Sequence, residues 1–231
     1  MHIPDGILPV WIWVLGFILM SLVMGLGLFR LRTMDKMKEI PLLGALSATM
    51  LVGMSLPTEL IIPGYHINLS VVTGILIGPT LGFIAAFIAN LILALMGHGG
   101  ITVIGLNTLL LGSEAILGHT LFYLLKRLPN FWRAALATIL TLLITTVILI
   151  GFVALSHLNP ELLHQGEGYG QELNINGSVM TFAIIVLTVG VIGWIVESAI
   201  TGAVVIFISQ VKPDMLEHAL HTKFMKKAEG N

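Results

Sequence analysis

The chain has 231 residues, 56% of them hydrophobic and only 10% charged, with a formal net charge of −1. A soluble domain carries roughly 25% charged residues, so a soluble globular protein is excluded, and nothing in the charge balance points to nucleic acid. Cysteine is absent, which excludes disulfides and thiolate metal sites and leaves nitrogen, oxygen and methionine thioethers as metal donors.

A membrane-spanning helix needs about 20 apolar residues. In chain order, such runs cover 7–29, 41–62, a long stretch 67–96, then 101–125, 134–155 and 179–209. The stretch 67–96 is too long for one ordinary span and contains Gly78-Pro79. Proline removes a helix donor and clashes with the preceding turn, so two short segments are predicted there. The total is an all-α integral membrane protein of about seven transmembrane helices, placed in the cell membrane as a multi-pass protein.

Charge sets the orientation. All eleven Lys and Arg residues fall into three clusters: Arg30, Arg32, Lys36 and Lys38; Lys126, Arg127 and Arg133; Lys212, Lys223, Lys226 and Lys227. The segment 156–178 carries Glu161, Glu167 and Glu172 and no basic residue. The positive-inside rule puts the clusters in the cytoplasm and the acidic loop outside. The N-terminus is therefore expected outside and the C-terminus inside. Without a basic residue before Ile7, the start of the chain does not read as a signal peptide.

The first six residues, Met-His-Ile-Pro-Asp-Gly, carry the sharpest chemistry. A histidine at position 2 sets three nitrogens in a row: the Met1 amine, the His2 amide and the His2 imidazole. They close a five-membered and a six-membered chelate ring on one ion. The amide binds only when deprotonated, which Ni²⁺ and Cu²⁺ promote far better than Zn²⁺, and square-planar nitrogen ligation is diagnostic of Cu(II) or Ni(II). Methionine removal generally needs a small second residue, so Met1 is expected to stay. Pro4-Asp5-Gly6 reads as a tight turn that ties this end to the first span. The competing reading is a polar histidine at an exposed terminus.

One place in the plane is left for a fourth nitrogen. His66 stands in Pro63-Gly64-Tyr65-His66-Ile67-Asn68, where one span ends and another begins. Non-helical backbone at membrane depth is tolerated where it is buried in protein or lines a cavity, and an ionisable residue there is a functional candidate. The competing reading is a helix-end cap at the interface. His157 and His164 are further candidates on the outer side or just within it, in the acidic loop. His98, between Gly97 and Gly99-Gly100, suggests a close backbone approach, and on the seven-span count it is assigned to the inner side. Asn107, Glu114, His119, Glu59 and Glu197 are expected to make interhelical hydrogen bonds, with orientation of a metal ligand as the sharper option. His218 and His221 have a chelating spacing but lie in the tail. No H-E-x-x-H metalloprotease motif and no G-x-x-x-x-G-K-[ST] phosphate loop occurs, so this chain cannot power transport with ATP on its own.

The opening Met1-His2-Ile3-Pro4-Asp5-Gly6, the segment Tyr65-His66-Ile67-Asn68-Leu69, the Ile77-Gly78-Pro79-x-x-Gly82 turn and the stretch from Gly99-Gly100-Ile101-Thr102 to Asn107-Thr108-Leu109 together resemble the NikM/CbiM family. These are the nickel/cobalt substrate-capture subunits of energy-coupling-factor transporters, and the resemblance covers nearly the whole chain. It implies a seven-helix bundle whose N-terminal end folds back and binds the metal through the Met1 amine, the His2 amide and imidazole, and the His66 imidazole. It also implies partners in the bilayer and beneath it: a transmembrane coupling subunit, cytoplasmic ATPase subunits and often a small accessory membrane subunit, absent from this chain. The Pro4-Asp5 pair looks more like the nickel branch.

The expected layout is one membrane domain over 1–231, with 1–6 an extracellular metal-binding N-terminus, 7–211 the helical bundle and 212–231 a cytoplasmic tail. The expected function is capture of Ni²⁺ (or Co²⁺) as transported substrate, with no catalytic cofactor and no enzymatic role. One rival is a stand-alone secondary transporter or channel, against which stands the absence of a repeat signature and of a chain of ionisable residues. The other is a membrane metalloenzyme, which would need a histidine-rich ligand set beside a general base.

Overall fold

The computed structural model describes residues 8–31, 36–56, 65–157 and 175–216. Among them there are helices and no strands. The helices are α1 (Val10–Leu31), α2 (Lys36–Ser55), α3 (Ser70–Leu95), α4 (Ile104–Leu124), α5 (Asn130–His157) and α6 (Ile175–Val211). In hydrocarbon every backbone polar group needs an internal partner, which a helix provides within its own segment. Among the described residues, four helical stretches are long and apolar enough to cross a membrane: Val10–Leu31, Ser70–Leu95, Asn130–Leu155 and Val179–Val211.

α3 is two helices joined at a sharp break. Gly78 has φ 82° and ψ 170°, a conformation open to glycine and barred to residues with a Cβ. Pro79 then starts the second half, where its missing N–H costs nothing and its φ suits a first helical residue. A Cβ built on Gly82 would lie 3.0 Å from the Gly74 Cα. Residues eight apart in an unbroken helix are about 12 Å apart along the axis, so the chain doubles back at Gly78. The predicted pair of short segments is therefore present, and with its two halves counted separately α3 brings the helices among the described residues to seven. The first half, 70–77, is only about 12 Å long; residues 65–69 before it are not helical, where a span had been expected from 67.

The doubled α3 is the centre of the bundle. It contributes Val71, Ile75, Ala85, Ala89 and Leu93 to the main core, together with Met50 and Met54 of α2, Leu111 and Phe122 of α4, and Val205 of α6. Close helix approach depends on small residues, as in other membrane bundles. A Cβ on Gly74 would meet the Ala115 carbonyl oxygen at 2.1 Å, and one on Gly105 would meet the backbone of Phe17 at 2.6 Å. Exposed Val10, Leu22, Phe29, Ile184 and Phe207 coat the outside of α1 and α6 with hydrocarbon, which suits lipid and not water.

Candidate metal centre

The non-helical segment 65–69, with Tyr65, His66 and Asn68 buried, lies against α4, α5 and α6. Bare backbone at that depth has to be satisfied by protein, and two buried carboxylates do this. Glu197 of α6 accepts the Tyr65 hydroxyl at 2.8 Å through Oε2 and the Leu69 backbone N–H at 3.2 Å through Oε1. Glu114 of α4 accepts the Asn68 side-chain amide at 2.6 Å and the Thr145 hydroxyl of α5 at 3.2 Å. Asn68 in turn accepts the Ser70 N–H at 2.8 Å, which serves the start of α3. Leu69 pivots with φ 56°, a left-handed conformation that costs a non-glycine residue on the order of 1–2 kcal/mol. Such strain persists where surrounding contacts over-determine it, and here Asn68 and Leu69 are both held.

Tyr65 packs directly on the backbone of α6. A Cβ on Gly193 would sit 2.3 Å from the Tyr65 ring, so only glycine admits the phenol there. Tyr65, Leu142 and Trp194 form their own buried cluster. Between these residues, Asn68, Glu114 and Thr145 is a cavity of about 20 Å³, room for a single water molecule.

His66, in this pinned segment, is 8% exposed. Its ring meets that of His98 edge to face, with centroids 5.2 Å apart. The sequence reading, which set His98 on the opposite side from His66, is thereby corrected: the two lie at one end of the bundle. Because α3 turns back at Gly78, the chain returns after Leu95 to the end it left at His66, and the two histidines share that end. The glycines beside His98 also differ from expectation. Gly97 and Gly99 have φ of 80° and 91°, and among the described residues a Cβ on either would meet nothing within 4 Å, so they shape a turn and accommodate no close approach there.

The other candidates separate clearly. Glu114 and Glu197 do more than bond between helices: they hold the residues on both sides of His66. His119 Nδ1 lies 3.1 Å from the Gly74 carbonyl, a bond between α4 and the short half of α3. Asn107 is buried in α4, and Asn90 donates to the Ile104 carbonyl and the Thr108 hydroxyl, both at 3.1 Å. Met1, His2, Glu59, His164, His218 and His221 lie outside the described residues, as does the His157 side chain. Among the described residues no three His, Cys, Asp or Glu side chains come together as a metal shell; His66 and His98 are the imidazoles placed side by side.

Apolar helices around a folded-back central element, with a polar segment fixed in their midst, define a multi-pass membrane protein. The chain belongs to the CbiM family, whose model, described as the cobalt uptake substrate-specific transmembrane region, matches residues 2–215. It is accordingly a transmembrane component of a metal uptake system, and the family is one of transport components. A protein of Haloquadratum walsbyi, provisionally named a metal transport protein, is 27% identical over 94% of this chain and 93% of its own length. A protein of Archaeoglobus fulgidus, provisionally named a fused nickel transport protein NikMN, is 29% identical over 94% of this chain and 68% of its own length. The fold is shared with the crystal structure of a transition metal transporter, at TM-score 0.77 and 21% identity over 95% of this chain and 97% of that one. A truncated transition metal transporter gives TM-score 0.72 at 21% identity, over 91% of this chain and 99% of its own.

Proposed function

We propose that this chain captures Ni²⁺, or Co²⁺, at the outer face of the membrane and presents it for ATP-driven import. The four nitrogens are the Met1 amine, the His2 amide, the His2 imidazole and the His66 imidazole. The incoming ion exchanges its waters for these donors, and the His2 amide gives its proton to solvent as it binds. Planar nitrogen ligation favours Ni²⁺ among the common divalent ions, and the nickel name of the Archaeoglobus relative points the same way. The positive-inside rule, applied to the basic clusters and the acidic loop, supports a cytoplasmic Lys126 and, with it, an outer position for the end bearing His66. Import then relies on a transmembrane coupling subunit, cytoplasmic ATPases and a small accessory membrane subunit.

The observation that carries this reading is the pinning of His66. A lone interfacial histidine has no need of two buried carboxylates from two other helices on its flanking residues. A metal ligand does, because orientation of the ligand by groups behind it typically accounts for about 10–100-fold in affinity. The test is nickel binding by purified variants. His66→Ala is expected to fold but to lose tight binding, while His157→Ala and His164→Ala bind like the parent. Parent-like binding by His66→Ala refutes the assignment and returns the loop histidines as candidates.

A further inference from the structure

His98 has no place in the proposed four-nitrogen plane, yet it stands against His66, the one proposed ligand that lies among the described residues. The pair is asymmetric. His66 is buried, at 8% exposure, whereas His98 is exposed in the turn 96–99 that ends α3. An ion arriving from solution meets His98 first.

The spacing fits joint ligation. A metal-bound imidazole has its ring centre about 3.2 Å from the ion, a metal–nitrogen bond of about 2.1 Å plus the distance from nitrogen to ring centre. Two such rings in adjacent positions, about 90–110° apart at the ion, have centres roughly 4.5–5.2 Å apart. The observed separation is 5.2 Å, at the top of that range. The positive φ values of Gly97 and Gly99 set His98 in a tight turn, and among the described residues nothing lies within 4 Å of the place a Cβ would take on either glycine.

We propose that His98 is an entry ligand, which binds the incoming ion together with His66 and then yields its place. In the first step two waters leave the hydrated ion and one nitrogen from each ring takes their places. In the second, the Met1 amine, the His2 amide and the His2 imidazole displace the remaining waters and His98, and the amide proton passes to solvent. No electron moves and the charge of the ion is unchanged. Slow ligand exchange is characteristic of Ni²⁺, so a donor that shortens the path between full hydration and full chelation governs rate. This inference rests on the reading of His66 as a metal ligand.

A group that binds only along the path speeds capture and release alike. The experiment is stopped-flow Ni²⁺ binding, and release into excess chelator, with the full chain in detergent. His98→Ala is expected to slow both association and release by about tenfold, a barrier higher by about 1.4 kcal/mol, and to leave the equilibrium Kd near that of the parent. His98→Phe separates ligation from packing: it restores an aromatic edge against His66 but offers no nitrogen, so it is expected to be as slow as His98→Ala. Parent-like rates in His98→Phe show that His98 merely packs, and overturn the proposal. A weaker Kd through faster release in His98→Ala makes it a permanent ligand, which also overturns it, as do unchanged rates in both variants. If His66→Ala binds nickel like the parent, the underlying metal site fails and the inference with it. If His66→Ala loses binding while the His98 variants match the parent, only the inference fails.

Discussion

The Tyr65 hydroxyl donates to Glu197 Oε2 at 2.8 Å, a bond between residues 132 positions apart, and its carboxylate partner also receives the Leu69 N–H. One side chain of α6 thus holds both ends of a five-residue segment with His66 inside it. Removing Glu197 strands two buried donors, each costing about 1–3 kcal/mol. Glu197→Ala is therefore expected to lower stability by about 3 kcal/mol and to weaken nickel binding by about 10–100-fold, read from thermal unfolding in detergent and from titration. Glu197→Gln, which still accepts through its amide oxygen, is expected to fall between the two. A Glu197→Ala protein that unfolds and binds like the parent contradicts this account of the segment.

Gly193 offers a steric test of the same contact. The Tyr65 ring occupies the space that a Cβ would need, at 2.3 Å, so Gly193→Ala is expected to displace the phenol, break its bond to Glu197 and weaken metal binding. Gly151 lies in α5 with nothing within 4 Å of its Cβ position. Gly151→Ala is expected to be neutral or slightly stabilising, by up to about 1 kcal/mol from helix propensity. Equal tolerance of both substitutions places Tyr65 elsewhere.

Topology is open to labelling, because the chain has no cysteine of its own. Single cysteines at Gly166 and at His98 are expected to react with an impermeant reagent from outside, and those at Arg32 and Lys126 from the cytoplasmic side alone. Labelling of His98→Cys from inside only, while Gly166→Cys reacts from outside, contradicts the shared outer end of His66 and His98.

Proton competition sets the pH dependence. Metal binding displaces protons from the amine, the amide and both imidazoles. A free amino terminus titrates near pKa ~8 and histidine near ~6.5. Above those values the amine and the imidazoles are already bare and only the amide still gives up a proton to the ion; below them protons occupy those nitrogens too and the ion has to displace them. Nickel affinity is therefore expected to fall steeply between about pH 8 and pH 6. A flat titration across that range argues against an all-nitrogen site.

Much of this architecture was legible in the sequence, for a physical reason. Lipid demands long apolar runs, and such runs are visible one residue at a time; the break at Gly78-Pro79 is equally local, since one residue lacks a Cβ and the next lacks an N–H. His66 stood out because a histidine beside a broken span is costly unless used. What could not be read was which distant residues meet. Glu114 and Glu197 were conspicuous as carboxylates within spans, but that Asn68 reaches Glu114 across 46 positions is a product of packing, as is the role of Thr145. That His98 meets His66 was equally out of reach: the two short segments on either side of Gly78 carry the chain back to the end it left, but only packing sets the rings 5.2 Å apart.

The central claim is that the metal is chelated by the chain's own first two residues together with His66, and it depends on chain position as well as side-chain identity. The most direct measurement is the nickel Kd of the native protein beside that of a version acetylated at Met1 or extended by one residue before it. Both changes keep every side chain and destroy the adjacent amine and amide that close the five-membered ring. The account predicts specific binding in the native protein and its loss in both modified forms. Binding and uptake at native levels by an uncleaved, N-terminally tagged protein would contradict it, because Met1 could then not be a ligand.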